Sequence, residues 1–182
     1  EIMSRTPNTI ITKFSFAQIE LTPYASNVIE GSSSTCRKVF NKLMDLRSQG
    51  EVKIFDRNKT NNDEPRFIGV LQCVFDPKND VLKGKMVLLR EKNPSLINDN
   101  YEFDHIKNLD NRKFVEVSHF CVNYKQTKPL LMFEKSQNGP RLSDFSYFLR
   151  HFGKITKLAK YCNIVPLINS FFLVRIKRFP WS

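Results

Sequence analysis

The sequence contains no CxxC pair. Its four cysteines, Cys36, Cys73, Cys121 and Cys162, stand far apart, which argues against a zinc knuckle or a thioredoxin-like redox site. Each falls in an apolar or amphipathic stretch, where a free thiol behaves as a small buried hydrophobe. With no secretory apolar stretch near the N-terminus, the reading is of reduced structural thiols in a cytoplasmic protein. No run approaches the ~18 consecutive apolar residues of a membrane span, so no membrane association is expected. Gly84-Lys85 lacks both the earlier glycine and the following Ser or Thr of a phosphate-cradling loop, and there is no G-x-S-x-G elbow. Glu1-Ile2 ahead of Met3 reads as a cloning remnant, with Met3 the native start.

Histidine is also scarce, with three in all, His105, His119 and His151. His119 and Cys121 share one face of an expected strand, but a structural zinc needs four ligands and no second pair has suitable spacing. They read as core or half-buried residues, and no metal or cofactor is expected. Glu51-Val52-Lys53 formally fits the Glu-x-Lys of a metal-dependent nuclease, with Asp76 and Asp80 in a loop. The partner acid on an adjacent strand is not evident. No catalytic set nominates itself, and the chain reads as more a binding protein than an enzyme.

What is present is a core. Sixteen phenylalanines in 182 residues, within 41% hydrophobic residues, exclude a disordered chain. The length suits one domain. Residues 13–21 read as a strand. A helix follows, capped by Ser33 or Ser34 and running to about Gln49, with Gly50 in the position that ends it. EVKIF (51–55) is a short strand, and 56–66 a polar connection. Residues 67–75 and 81–90 form a hairpin around 76–80, and 113–124 and 129–136 form a second. Residues 93–112 are irregular, with room for a short helix. The expected class is α+β: a mainly antiparallel, meandering sheet with two or more amphipathic helices in a single domain spanning 1–182. Residues 1–12 would be an N-terminal extension and 136–182 a basic C-terminal helix and strand.

The net charge of +11 is unevenly spread. Residues 1–75 and 76–135 each carry +2, whereas 136–182 carry eight basic residues and one acid, Asp144. A helix is expected there, with Ser143 as N-cap and Asp144 in its first turn. At 100° per residue, Phe145, Phe148, Leu149, Phe152, Ile155, Leu158, Ala159 and Cys162 gather on one face. Arg150, Lys154, Lys157 and Lys160 gather on the other, with no carboxylate between them. Gly153 is the weak point at which the helix could divide. His151 borders the basic face. The tail FFLVRIKRFPWS interleaves Arg175, Lys177 and Arg178 with Phe179 and Trp181, as single-stranded nucleic-acid sites do. Taken alone, it reads first as an edge strand guarded by its charges and closed by Pro180.

The order of the pieces FIGVLQCVFDPKNDVLKGKMVLLR, KFVEVSHFCVNY and PLLMFEKSQNGPRLSDFSYFL resembles uncharacterised bacterial proteins found near phage-defence genes. A more distant likeness extends to RexA-type phage-exclusion proteins, over roughly Lys13 to Cys162. The resemblance implies a role in defence against phage or foreign DNA and carries over no active site. The resulting expectation is a non-catalytic protein that binds DNA or RNA without sequence specificity. Its candidate phosphate-binding and stacking residues are Arg150, Lys154, Lys157, Lys160, Arg175, Lys177, Arg178, Phe179 and Trp181. The alternative is a protein-interaction module, as adaptor, defence-complex subunit or homo-oligomer; a metal-dependent nuclease comes third.

Overall fold

The computed structural model describes residues 11–24, 31–59, 64–89, 96–97, 103–104, 114–167 and 173–175. The central hairpin forms where apolar alternation predicts it. Strands β3 (Phe67–Asp76) and β4 (Val81–Leu89) pair antiparallel from Phe67↔Leu89 to Asp76↔Val81. Asp76 shapes the turn, its Oδ1 accepting the amides of Lys78 and Asn79 at 3.1 and 3.3 Å. Strand β7 (Val115–Asn123) pairs with β4, and β8 (Leu130–Lys135) with β7, which completes the expected meander. Strand β2 (Ile54–Asp56) adds to β3 at one edge.

The other edge is non-local. Strand β1 (Ile11–Pro23) pairs with β8 on one side. On its other side lie β9 (Ala159–Pro166), against Ala17–Pro23, and β10 (Leu173–Arg175), against Ile11–Lys13. The sheet order is β10-β1-β8-β7-β4-β3-β2, with β9 also on β1. β1, β9 and β10 thus join the meander in one antiparallel sheet, and β1 begins two residues before the expected start at Lys13. Of residues 93–112, where a short helix is expected, the described ones form two-residue strands, β5 (Leu96–Ile97) and β6 (Phe103–Asp104), and the others lie outside the described residues.

Two helices, α1 (Ser32–Ser48) and α2 (Leu142–Ile155), supply the other half of the core. Val39, Phe40 and Leu43 of α1 meet Phe145, Phe148, Leu149 and Phe152 of α2 over Ile68, Met86, Phe120 and Phe133 of the sheet. Phe145 is the hub, with ring centroids 4.9 Å from Phe120, 5.5 Å from Phe133 and 6.4 Å from Phe40. Burying each such ring contributes about 1.5–3 kcal/mol. Among the described residues no helix is long and apolar enough to cross a membrane.

Helix ends depart from expectation for identifiable reasons. Gly31, not Ser33 or Ser34, is the N-cap of α1. The Ser33 hydroxyl donates to the Tyr124 carbonyl, and Ser32 Oγ bonds the Leu21 backbone, so these hydroxyls tie the helix to the sheet. Gly50 does occupy the left-handed position after α1, at φ 83°. In α2 the N-cap is Arg141 rather than Ser143.

The largest difference lies at the end of α2. The expected helix ran on to Cys162; the observed one stops at Ile155, and the chain reverses into β9. The amide of Leu158 bonds the Gly153 carbonyl at 3.0 Å, and that of Lys157 bonds the Lys154 carbonyl at 3.1 Å. This is the Schellman arrangement, with Lys157 at φ 56° where glycine is usual. Gly153 does not divide the helix. It makes room for the reversal, since a β-carbon there would lie 2.9 Å from that of Ala159.

Candidate nucleic-acid interface

The amphipathic pattern of α2 orients its two faces. Phe145, Phe148, Leu149 and Phe152 are fully buried, which turns Ser143, Arg150, His151 and Lys154 to solvent, with Tyr147 half-buried beside them. Arg150 and Lys154 are one turn apart, about 6 Å along the axis. Lys154 stands in the last turn, where the helix dipole favours a cation. Lys157 and Lys160 are exposed but are not on the helix. Lys157 projects from the reversing turn and Lys160 from β9, with its Nζ 5.5 Å from the Tyr161 ring centroid. The four expected cations therefore line a helix, its end and the next strand, instead of one helical stripe.

None of these four has a carboxylate partner among the described residues. The one acid of this part of the chain is withdrawn from the surface. Asp144 is fully buried, and its carboxylate takes the guanidiniums of Arg57, through Oδ1, and of Arg66, whose Nη2 lies 2.8 Å from Oδ2. The Arg141 amide adds a bond of 2.8 Å to Oδ2, one half of a capping box. Burial pushes the Asp144 pKa up, but the two arginines and this amide outweigh it and hold the carboxyl below its ordinary value. Arg57 also donates to the Ser143 hydroxyl at 3.2 Å. The loop between β2 and β3 is thereby fastened to the start of α2.

A depression lies between β2 and α2. Ile54, Phe55, Asp56, Lys59, Phe67, Tyr147 and His151 line a space of about 390 Å³, within the range of small-ligand pockets. The rings of Tyr147 and His151 are parallel within 4°, with centroids 5.7 Å apart. The rings of Phe55 and His151 meet edge to face, with centroids 4.6 Å apart. The Tyr147 hydroxyl donates to the Asp56 carbonyl at 3.2 Å, and Asp56 Oδ1 accepts the amides of Asn58 and Arg66 at 2.9 Å each.

Of the remaining candidates, Arg175 belongs to β10, where its backbone pairs with Ile11. Lys177, Arg178, Phe179 and Trp181 lie outside the described residues. The Glu-x-Lys pair does not assemble a metal centre. Glu51 precedes β2 and pairs with Lys53 at 2.8 Å. Asp76 bonds Asn79 and Asp80 pairs with Arg37, both at the β3–β4 turn. His119 Nδ1 lies 2.6 Å from Glu134 Oε2. Among the described residues no group of three His, Cys, Asp or Glu could hold a metal ion. All four cysteines are free. Burial pushes the Cys162 thiol up to about 12, against a smaller opposing effect of the Arg150 guanidinium.

Sequence reasoning did not find Arg57, Arg66, Phe55, Lys59 or Tyr147. Only Tyr147 left a signal, its i,i+4 spacing from His151 on the polar side of α2. No family model matches the chain, and neither does any curated protein or solved structure.

Proposed function

We propose that this protein binds nucleic acid through phosphate contacts, without reading sequence, using Arg150, Lys154, Lys157 and Lys160. The observation that carries the reading is the absence of a carboxylate partner for these four exposed cations among the described residues, with Asp144 buried beneath two arginines. A solvated lysine face ordinarily interleaves glutamates, because like charges at i,i+4 repel. An uncompensated run is stabilised when an anion occupies it. In the sequence, Arg175, Lys177 and Arg178 add three further cations with no acid among them. Following the resemblance to phage-defence proteins, the ligand is foreign DNA and the role is defence.

The test is an anisotropy titration of a labelled duplex at two salt concentrations. Affinity should fall steeply with salt. The triple variant Lys154→Glu, Lys157→Glu, Lys160→Glu should lose most of the binding while melting close to wild type, since surface substitutions usually stay within about 0.5 kcal/mol each. Absence of binding at low salt, or binding indifferent to salt, refutes the proposal. A second reading is favoured by the exposed Tyr161 (59%) and Leu167 (38%) at the β9 edge: an acidic protein or a second copy docks there. Capture that survives nuclease treatment, or a dimer on size exclusion, would select it.

A further inference from the structure

We infer that the depression between β2 and α2 receives an unpaired nucleobase, so that the protein prefers single strands to duplex. This rests on the phosphate-binding reading and names the ligand's form. The space of about 390 Å³ is walled by the rings of Phe55, Phe67, Tyr147 and His151, a flat aromatic setting for a heterocycle. Tyr147 and His151 form a ready stack, parallel within 4°, and Phe55 packs on the imidazole in an edge-to-face arrangement. Tyr147 is itself fixed by its hydroxyl bond to Asp56. Such a platform needs little reorganisation to accept another ring. Lys59 stands at the rim, exposed, as a phosphate contact beside the base.

Position decides between duplex and strand. Tyr147 and His151 occupy the same helix face as Arg150 and Lys154, one turn or less away. A strand whose phosphates run along those cations would carry its bases toward the ring pair. In a duplex the bases are stacked on one another and cannot enter a pocket without being extruded. Stacking on aromatic side chains tolerates any base, because every base has a π-face. The pocket therefore adds preference for single strands without adding sequence specificity.

The experiment compares three labelled ligands at one low salt concentration: an oligothymidylate about a dozen nucleotides long, an abasic strand of equal length, and a duplex. The oligothymidylate should bind about fivefold or more tightly than the other two. Tyr147→Leu and His151→Ala should each reduce it to the abasic level and leave abasic and duplex binding unchanged. Tyr147→Phe, which keeps the ring and loses the hydroxyl bond, should retain the preference; this separates stacking from a structural role. Equal binding of oligothymidylate and abasic strand overturns the base site while the phosphate reading stands. Loss of all three ligands overturns both. Tyr147-dependent binding of adenosine monophosphate, without preference among the polymers, would make this a free-nucleotide site and overturn the assignment to a strand.

Discussion

Replacing Asp144 by asparagine changes one oxygen to an amide and leaves the shape of the side chain intact. In the native protein the carboxylate is fully buried and bonded to Arg57, Arg66 and the Arg141 amide. An asparagine can still accept from Arg141, but its NH₂ must face a guanidinium, donor against donor. Removing one partner of a buried ion pair costs about 3–5 kcal/mol. The two arginines are 32% and 25% exposed, so water recovers part of their solvation. The loss should sit at the lower end, about 3 kcal/mol, or a fall of about 6–12 °C in melting temperature for a chain of this size. The sign of the pH effect follows from the depressed carboxyl pKa. The ion pair contributes fully above the ordinary value of 3.8 and is lost as pH falls through the lower, folded value. Urea unfolding of both proteins across the acid range should show a constant gap above that point and a narrowing gap below it. Glu20, Glu51 and Asp76, whose pKa values are also lowered, titrate in both proteins and cancel in the difference. A gap under about 1 kcal/mol near neutrality, or one that does not narrow in acid, refutes the clamp as the fastening of α2 to the β2–β3 loop.

Two further outcomes follow. Lys157→Gly should stabilise the fold by about 0.5–1 kcal/mol, because a left-handed non-glycine residue costs about 1–2 kcal/mol and glycine's extra entropy offsets only part of that. The same change should weaken nucleic-acid binding, so stability and affinity move in opposite directions; a Lys157→Gly protein that melts lower than wild type would contradict the observed turn. With a thiol reagent at about pH 8, the native protein should label slowly at Cys36, Cys73 and Cys162. Burial pushes Cys73 and Cys162 up to about 12 and Cys36 higher still. Cys121 should react first, and all four in urea; immediate labelling of four thiols in the native state would be the contrary result.

Much of the fold was readable because short-range patterns carry it. The β3–β4 and β7–β8 hairpins follow from alternation and turn residues, and the buried face of α2 from the spacing of Phe145, Phe148, Leu149 and Phe152. The end of α2 was not readable. Its left-handed cap is a lysine instead of a glycine, and Ile155, Leu158, Ala159 and Cys162 continue a helical period by coincidence. Ile155 is half exposed, whereas Ala159 is buried from a strand. The pairing of β1 with β8, β9 and β10 joins residues more than a hundred positions apart, and local periodicity holds no information on it. The same limit hid the Asp144 clamp, whose arginines lie 78 and 87 residues upstream. Charge counting identified Asp144 as the one acid among the C-terminal cations; it could not reveal that two distant arginines neutralise it.

That neutralisation bears on how a salt titration should be interpreted. If only Arg150, Lys154, Lys157 and Lys160 meet phosphates, the slope of log affinity against log salt on duplex should be about −3.6. If Arg175, Lys177 and Arg178 join them, it should approach about −6. Arg57 and Arg66 together should add no more than about one phosphate's worth, because the single Asp144 carboxylate offsets one of their two charges. Asp144→Asn should steepen the slope by about one phosphate's worth, because it removes the one negative charge held by the two guanidiniums. The charge of this region is therefore not a simple sum of its residues. The buried carboxylate determines which arginines are structural and which cations stay available to an anion.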